Sequence, residues 1–253
     1  MRYFPSAFHL QYINLKRASA LVLLLMILCA ALAGCRNEDP KRGNMIFETI
    51  VVGELGVNCY ILADSETKEG IVIDPGADPG KILSVIKSNG VKVLHILNTH
   101  GHFDHIGGNR KVAEATGGKL LINKADEPFL SRAAISATMY GLKAEDSPLP
   151  ASYLAEGDSV RFGRHAAKII HIPGHSPGGS CFYLEKEGLL ISGDSLFADS
   201  IGRTDLPGGS QAELVLSIRS KLLVLPDETR VFPGHGPSTT IGHEKKFNPY
   251  LGG

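Results

Sequence analysis

Four short apolar runs of this chain each end in a loop that combines glycine with histidine or aspartate. The loops read T-H-G-H-F-D-H at 99–105, P-G-H at 173–175, G-D-S at 193–195 and P-G-H-G at 233–236. Ligand pockets in α/β proteins form where loops leave the ends of strands. We therefore expect the four loops to meet at one edge of an α/β fold and to form a polar site there.

The side chains of these loops have the chemistry of metal ligands. The H-x-H-x-D-H run would leave buried polar groups without partners unless a metal ion or hydrogen bonds satisfied them. Imidazole and carboxylate ligands suit zinc, iron or manganese. The candidates are too many for one tetrahedral ion and favour two ions that share a bridging carboxylate. They are His100, His102, Asp104, His105, His175, Asp194 and His235.

Alternating strand and helix patterns predict the surrounding architecture. Two strand-rich halves that each carry helices favour a two-sheet sandwich with helices outside. In the first predicted helix, Asp78 is the expected N-cap and Gly90 the stop. Segment 131–155 contains Pro148 and Pro150 and is expected to form a helical excursion or flap near the site. The predicted strands are 46–52, 58–63, 70–73, 93–97, 119–122, 159–162, 165–172, 180–184, 188–192 and 229–232, and the predicted helices are 78–89, 105–116 and 211–223.

Composition excludes several classes of protein. The 253 residues include 26 Lys+Arg and 26 Asp+Glu, and this balance argues against binding nucleic acid by bulk electrostatics. Tryptophan is absent and aromatic residues make up 7%, so a platform for stacking bases is not expected. The 4 cysteines are too few for a disulfide scaffold.

The N-terminus has the pattern of a secretory signal. Lys16 and Arg17 precede an uncharged stretch at 18–33 that is short for a membrane-spanning helix. The sequence L-A-G-C at 32–35 resembles the lipobox of bacterial lipoproteins, in which cleavage leaves the cysteine as a lipidated N-terminus.

This pattern divides the chain into three parts. We predict a lipoprotein-type signal peptide at 1–35 with lipidation of Cys35, a polar tether at 36–44 and one domain at 45–253. The protein would then be a membrane-anchored lipoprotein of the bacterial cell envelope, because two or more acyl chains anchor stably. Two alternatives remain: an uncleaved N-terminal anchor, or translation from Met45, which would make the protein cytoplasmic.

The ligand loops, together with I-D-P-G at 73–76, resemble the motifs of the metallo-β-lactamase superfamily. The resemblance covers 45–253 and implies a metallo-β-lactamase-like αββα four-layer sandwich. It also implies that the Asp74 carboxylate orients the ligand loop. The implied ligands are His100, His102 and His175 for the first metal and Asp104, His105 and His235 for the second, with Asp194 as the bridge.

Further segments are similar to the compact bacterial members of the glyoxalase II group, the hydroxyacylglutathione hydrolases. They are S-G-D-S-L-F at 192–197, I-G-R-T-D at 201–205 and the tail at 233–242. This similarity implies a dinuclear hydrolase that cleaves a small-molecule thioester of the S-lactoylglutathione type with a metal-bound hydroxide. Zinc is the expected metal, with iron or manganese as alternatives. Asp104 and Asp194 would orient the hydroxide, and Arg203, Lys143 and Tyr140 are candidates for binding an anionic substrate.

Three other functions compete with this interpretation. A mononuclear iron persulfide dioxygenase resembles the same fold and also has the H-x-H-x-D-H run. A zinc β-lactamase is the second function, and the sequence argues against it. The best-known zinc β-lactamases use a cysteine for the second metal, whereas the matching position here is Asp194. A lipid-anchored metal-binding accessory protein without catalysis is the third, and the complete ligand set argues against it.

Full-length glyoxalase II enzymes also carry a further helical domain, whereas here only residues 241–253 follow the last ligand loop, so we expect a more open pocket.

Overall fold

Two six-stranded sheets form the centre of this computed structural model, which describes residues 44–252. The first sheet consists of β1 (Met45–Val52), β2 (Val57–Asp64), β3 (Glu69–Ile73), β4 (Lys92–Leu97), β5 (Lys119–Asn123) and β6 (Ser152–Leu154). The strands lie side by side in chain order. They are antiparallel from β1 to β3 and parallel from β3 to β6.

The second sheet is built from the C-terminal half of the chain. It consists of β7 (Ser159–Phe162), β8 (His165–His171), β9 (Ser180–Leu184), β10 (Leu189–Gly193), β13 (Arg230–Pro233) and β14 (Thr239–Thr240), and a small hairpin is formed by β11 (Leu196–Phe197) and β12 (Ser200–Ile201). The order across the sheet is β14-β13-β10-β9-β8-β7. Only the β10–β13 pair in it is parallel.

Helices cover the outer faces of both sheets. They are α1 (Pro79–Asn89), α2 (Phe103–Ile106), α3 (Asn109–Thr116), α4 (Glu127–Leu130), α5 (Ala133–Thr138), α6 (Gln211–Ser217) and α7 (Ile241–Phe247). Helices α1 and α3 share a core with the first sheet, and α6 and α7 share one with the second. The layers therefore run helix, sheet, sheet, helix, which confirms the predicted αββα sandwich. Within residues 44–252, no helix has the length and apolar character needed to cross a membrane.

The sheets are buried on both faces, and the strand sequences show this directly. In β2, Tyr60 and Leu62 pack into the core between the sheets, whereas Cys59 and Ile61 pack against the helices outside. Side chains alternate between faces along a strand, so a strand covered on both sides is apolar on both faces over most of its length. All eight residues of β2 are buried. This burial holds the strand ends, and the loops that follow them, in fixed positions.

The predicted helix at 105–116 is wrong as one element, because the chain forms α2 and α3 with a break at Gly107 and Gly108. The loop after β3 comes very close there. A Cβ on Gly107 would lie 2.6 Å from the carbonyl oxygen of Gly76, and one on Gly108 would lie 2.4 Å from that of Pro75. The two glycines therefore permit backbone contact between the β3 loop and the ligand loop.

Two other local predictions are confirmed in part. Asp78 and Gly90 are the N-cap and C-cap residues of α1, but the Asp78 side chain does not cap the helix: the residue has a left-handed backbone (φ 49°), and its carboxylate accepts a hydrogen bond from the Gly53 N–H at 2.9 Å. Segment 131–155 forms the short helix α5 and then a stretch that ends in β6, a strand that the weak patterning did not predict. The signal peptide at 1–35, lipidation of Cys35 and the tether at 36–43 lie outside the described residues.

A buried carboxylate links the two sheets at the end of β2 that lies away from the ligand loops. Asp64 accepts hydrogen bonds from Arg164 Nε at 2.7 Å and Nη2 at 3.0 Å, and from the N–H groups of Arg164, Glu66 and Thr67. The Arg164 side chain, with these N–H groups, outweighs the effect of burial and holds the pKa of Asp64 well below its usual range. The pair therefore stabilises the sandwich when Asp64 is ionised.

We expect Asp64→Asn to lower the free energy of unfolding by roughly 2 kcal/mol at pH 7, because charged hydrogen bonds are lost in a buried site. The folded-state pKa is depressed, so the stabilisation is present above the unfolded value of about 3.9 and is lost as the pH falls below it. Urea unfolding of both proteins from pH 7 to pH 3 tests this. The exposed Glu66→Gln should change stability by less than about 0.5 kcal/mol, and a gap for Asp64→Asn that stays constant with pH would contradict the assignment.

Candidate metal centre

The structure brings all seven predicted ligands to one edge of the sandwich, at the ends of β4, β8, β10 and β13. His100, His102 and His175 form the first donor set. The Nε2 atom of His175 lies 3.2 Å from Nε2 of His100 and 3.0 Å from Nδ1 of His102. One ligand atom from each of the three lies within 4.8 Å of the others, which is the spacing of donors around a single ion.

Asp104, His105 and His235 form the second donor set. The Nε2 atoms of His105 and His235 are 3.3 Å apart, and Asp104 Oδ2 lies 3.7 Å from the first and 3.5 Å from the second. Asp104 and His105 are adjacent on α2, which begins directly after His102. The short helix therefore turns these two side chains away from the first set and towards the loop after β13.

Asp194 lies between the two sets. Its Oδ1 is 3.5 Å from His105 Nε2, and its Oδ2 is 3.7 Å from His175 Nε2 and 3.6 Å from His235 Nε2. Oδ1 is buried and has no hydrogen-bond partner among the described residues. A buried carboxylate oxygen without a donor is costly unless a cation is bound to it. The position of Asp194 is that of a bridging ligand.

Hydrogen bonds set the tautomer of four of the five imidazoles. In each of these rings Nδ1 faces an oxygen acceptor, so the Nδ1–H donates and Nε2 keeps its lone pair for the site. The pairs are His100 with Thr99 Oγ1 at 3.0 Å, His105 with Asp74 Oδ2 at 3.0 Å, His175 with the Arg203 carbonyl at 2.8 Å and His235 with the Leu55 carbonyl at 3.0 Å.

These observations test whether the residues fit a pair of metal ions. With Nδ1 donating, the Nε2 lone pairs of His100 and His175 face one another at 3.2 Å, and lone pairs at that distance repel. A cation there would turn the repulsion into coordination, and cations in both sets would balance the carboxylates and satisfy the orphaned Asp194 oxygen. Imidazole with carboxylate is a donor set for zinc, iron or manganese. The residues therefore fit two divalent ions.

The two donor sets differ in charge. Burial lowers the pKa of His100 well below its usual value and that of His102 to about 3, so both rings are neutral ligands. Burial would also lower the pKa of His105, but the charges of Asp194 and Asp104 and the hydrogen bond to Asp74 outweigh it and raise the pKa to about 10. The second set is thus the more negative environment and attracts a cation more strongly.

Asp74 acts on a ligand and is not itself placed as one. Its carboxylate accepts hydrogen bonds from the Thr99 N–H at 2.8 Å, from Thr99 Oγ1 at 2.6 Å and from His105 Nδ1 at 3.0 Å. Its backbone is left-handed (φ 51°) where the chain leaves β3. Because Thr99 in turn accepts from His100, one carboxylate orients a ligand of each set.

Asp126 is a site residue that sequence reasoning missed. Its Oδ2 accepts from the Gly101 N–H at 2.8 Å and from Ser176 Oγ at 2.7 Å, and its Oδ1 accepts from the Gly178 N–H at 2.6 Å. Its side chain thus links the loop that carries His100 and His102 to the loop that carries His175. The one available signal was its place just after β5, at the same sheet edge, and a solitary aspartate there is indistinguishable from an ordinary turn residue.

Close backbone approach explains two glycines of the ligand loops. A Cβ on Gly234 would lie 2.1 Å from Asp194 Oδ1 and 2.8 Å from His105 Cε1. A Cβ on Gly202 would lie 1.9 Å from the Asp194 carbonyl oxygen. A side chain at either position would displace the bridging carboxylate, so glycine is required on both sides of it.

The three predicted substrate-binding residues surround the centre. Arg203 is exposed, pairs with Asp205 at 2.8 Å and interacts with the Tyr140 hydroxyl. Tyr140 packs on the Phe103 ring, with 5.4 Å between centroids, next to the second donor set. Lys143 is exposed and lines a groove that also reaches Asp104.

Two histidines outside the donor sets have partners of their own. His165 Nδ1 pairs with Glu187 at 2.5 Å, and His171 donates to the Pro177 carbonyl at 3.0 Å.

Comparisons with known proteins agree with this geometry. A protein 38% identical over 210 residues is the probable metallo-hydrolase YqgX of Bacillus subtilis, with 83% of this chain and 99% of the relative covered. The hydroxyacylglutathione hydrolase GloC of Haemophilus influenzae is 35% identical over 209 residues, with 82% and 98% covered.

Solved structures give the same result. The B3 metallo-beta-lactamase BLEG-1 superposes with a TM-score of 0.77 at 38% identity, covering 82% of this chain and 100% of its own. TTHA1623 in a di-iron-bound form superposes with a TM-score of 0.75 at 40% identity, covering 81% and 100%. The model of the metallo-beta-lactamase superfamily matches residues 52–235, from the end of β1 to the last ligand. With its fold, its two donor sets and this match, the chain belongs to the metallo-beta-lactamase superfamily.

Proposed function

We propose that the protein is a dinuclear metal hydrolase that cleaves thioesters of the hydroxyacylglutathione type, such as S-lactoylglutathione. One observation carries the proposal: two three-residue donor sets share Asp194, whose oxygens lie 3.5 to 3.7 Å from donors of both. The 35% identity to a hydroxyacylglutathione hydrolase supports the choice of thioester. A mononuclear iron persulfide dioxygenase shares the H-x-H-x-D-H run, and metal analysis separates the two: the dioxygenase would hold one iron and consume oxygen, whereas the hydrolase would hold two ions and need no oxygen.

The first set would hold one ion and the second set the other, with zinc proposed and iron or manganese as alternatives. A pair of divalent ions in such a site supplies an activated water and polarises the carbonyl that the water attacks. The protein contributes orientation. Asp104 turns Oδ2 towards His105 and His235, and the Asp104 and Asp194 carboxylates would orient the attacking water.

Proton transfer to the leaving group needs no dedicated acid in this reaction. A thiolate leaves readily because its pKa is far below that of an alkoxide. The exposed guanidinium of Arg203, beside the His175 loop, is placed to attract the anionic end of a thiol carrier. The Tyr140 hydroxyl beside it can donate to the same group.

Asp104→Ala should reduce hydrolysis of S-lactoylglutathione by about 100-fold or more and lower the bound metal from about two ions per chain to about one. The reason is that Asp104 is the one carboxylate of the second donor set apart from the shared Asp194. Steady-state kinetics and metal analysis of the purified protein, before and after chelation and metal re-addition, measure both effects. Glu114→Ala, an exposed acid on α3, is the matched control. A full rate in Asp104→Ala would contradict the dinuclear mechanism.

Asp126→Asn should weaken metal binding by about 10- to 100-fold, because an amide cannot accept all three hydrogen bonds that join the two ligand loops. As a positioning residue it affects the rate through the metal, so saturating metal should restore most of kcat. Titration with zinc, followed by activity and by direct binding, separates the two effects. Asp158→Asn, an exposed turn residue, should behave as the parent protein does. A loss of kcat that metal does not restore would argue against this role.

We also propose that the protein is anchored to a membrane of the bacterial cell envelope through lipidated Cys35, which follows L-A-G in the sequence. Mass spectrometry of the mature N-terminus should then find residue 35 modified and residues 1–34 absent. Cys35→Ala should shift the protein from the membrane fraction. A mature chain that begins at Met45 would contradict the proposal without affecting the metal centre.

A further inference from the structure

A groove of about 680 Å³ opens beside the metal centre and reaches it at one point. Of the seven predicted ligands, Asp104 alone lines it. The groove runs between the tip of the β1–β2 hairpin, the loop before α1, helix α2 and helix α5. It is therefore continuous with the second donor set.

The walls of this groove are apolar. Val52 and Val57 from the hairpin, Phe103 from α2 and Leu142 after α5 form its inner surface, and Leu55, which is 43% exposed, projects at the hairpin tip. A surface of this kind next to a reacting centre suits the hydrocarbon part of a substrate.

Charged residues lie at the rim, and most of them are already paired. Asp78 accepts from the Gly53 N–H at 2.9 Å, and Lys111 forms an ion pair with Glu145 at 2.6 Å. Lys143 and Glu54 are exposed to solvent. The groove thus offers little to a multiply charged ligand in its interior.

The lining of the groove favours the acyl group over the thiol carrier as its occupant. Thiol carriers are polar and commonly anionic, whereas Leu55, Phe103 and Leu142 line the groove. The acyl group would then extend past Asp104 into the apolar groove. A lactoyl group has too few carbon atoms to fill about 680 Å³, a volume in the range that accommodates drug-sized ligands.

We propose that this groove is the acyl-binding subsite and that it selects thioesters with an extended apolar acyl chain over lactoyl thioesters; the inference rests on the proposed hydrolase function. Leu55 links the subsite to the chemistry, since its side chain lines the groove while its carbonyl accepts the His235 Nδ1–H at 3.0 Å. A bound chain that covers Leu55 also packs against the segment that orients a ligand.

The test combines binding and turnover on the zinc-loaded protein. S-alkyl thioethers of N-acetylcysteamine, from ethyl to octyl, cannot be hydrolysed and report binding alone by calorimetry. Acyl thioesters of the same lengths report hydrolysis. Each methylene buried in the groove should raise affinity by up to about fourfold. We expect kcat/KM for octanoyl to exceed that for acetyl and lactoyl thioesters by at least about 100-fold.

Ala134→Phe is the blocking variant, because Ala134 is half-buried on α5 and lines the groove. It should abolish the dependence on chain length. Ile135→Phe is the matched control: it lies on the same helix, is 67% exposed, does not line the groove and should keep the dependence. Thr138→Trp, one turn further along the groove, replaces Ala134→Phe if that variant does not fold.

The two proposals fail in different ways. Equal affinity from ethyl to octyl, or a chain-length dependence that survives both blocking variants, overturns the acyl subsite even when S-lactoylglutathione is hydrolysed. Chain-length-dependent binding that Ala134→Phe abolishes, without turnover of any thioester, supports an apolar ligand groove but overturns the hydrolase and with it the acyl-subsite assignment.

Discussion

The metal centre depends on one electrostatic constraint: five imidazoles and two carboxylates are held together at the end of two sheets. The facing Nε2 atoms of His100 and His175, which are 3.2 Å apart, and a buried, unpartnered Asp194 oxygen are unfavourable without cations. The rest of the fold supplies the stability that holds them there. Because metal binds the folded arrangement and the unfolded chain lacks it, metal binding and folding stability are coupled.

Preorganisation comes from hydrogen bonds one step away from the donors. Asp74 orients the loop that follows β4, and Asp126 ties that loop to the His175 loop in the other half of the chain. On the opposite side, the Tyr60 hydroxyl donates to the Pro233 carbonyl at 2.6 Å, just before His235. Both halves are thus connected through polar contacts that end on buried strands. The donors are therefore positioned before an ion arrives, which reduces the cost of ordering them on binding.

The sequence was sufficient for the donors and the layers but not for the framework around them. The spacing in H-x-H-x-D-H and the Pro-Gly-His turns identified side chains that the structure does bring together, and two strand-rich halves that each carry helices predicted the layers. Asp126 and the Leu55 carbonyl gave no such signal, because their roles arise from contacts between segments far apart in the chain. Likewise, the break at Gly107 follows from the approach of Gly76, which local periodicity cannot show.

The two sides of the centre are chemically unequal, and this gives the site a direction. The first donor set is made of imidazoles alone and borders the exposed Arg203, whereas the second includes Asp104 and borders apolar side chains such as Phe103. For a substrate with one polar and one hydrocarbon end, placing the hydrocarbon end in the groove is favoured, since the reverse would bury charge against the groove and expose the chain. The asymmetry of the surroundings, more than the donor set itself, then determines which esters or thioesters such a centre can cleave.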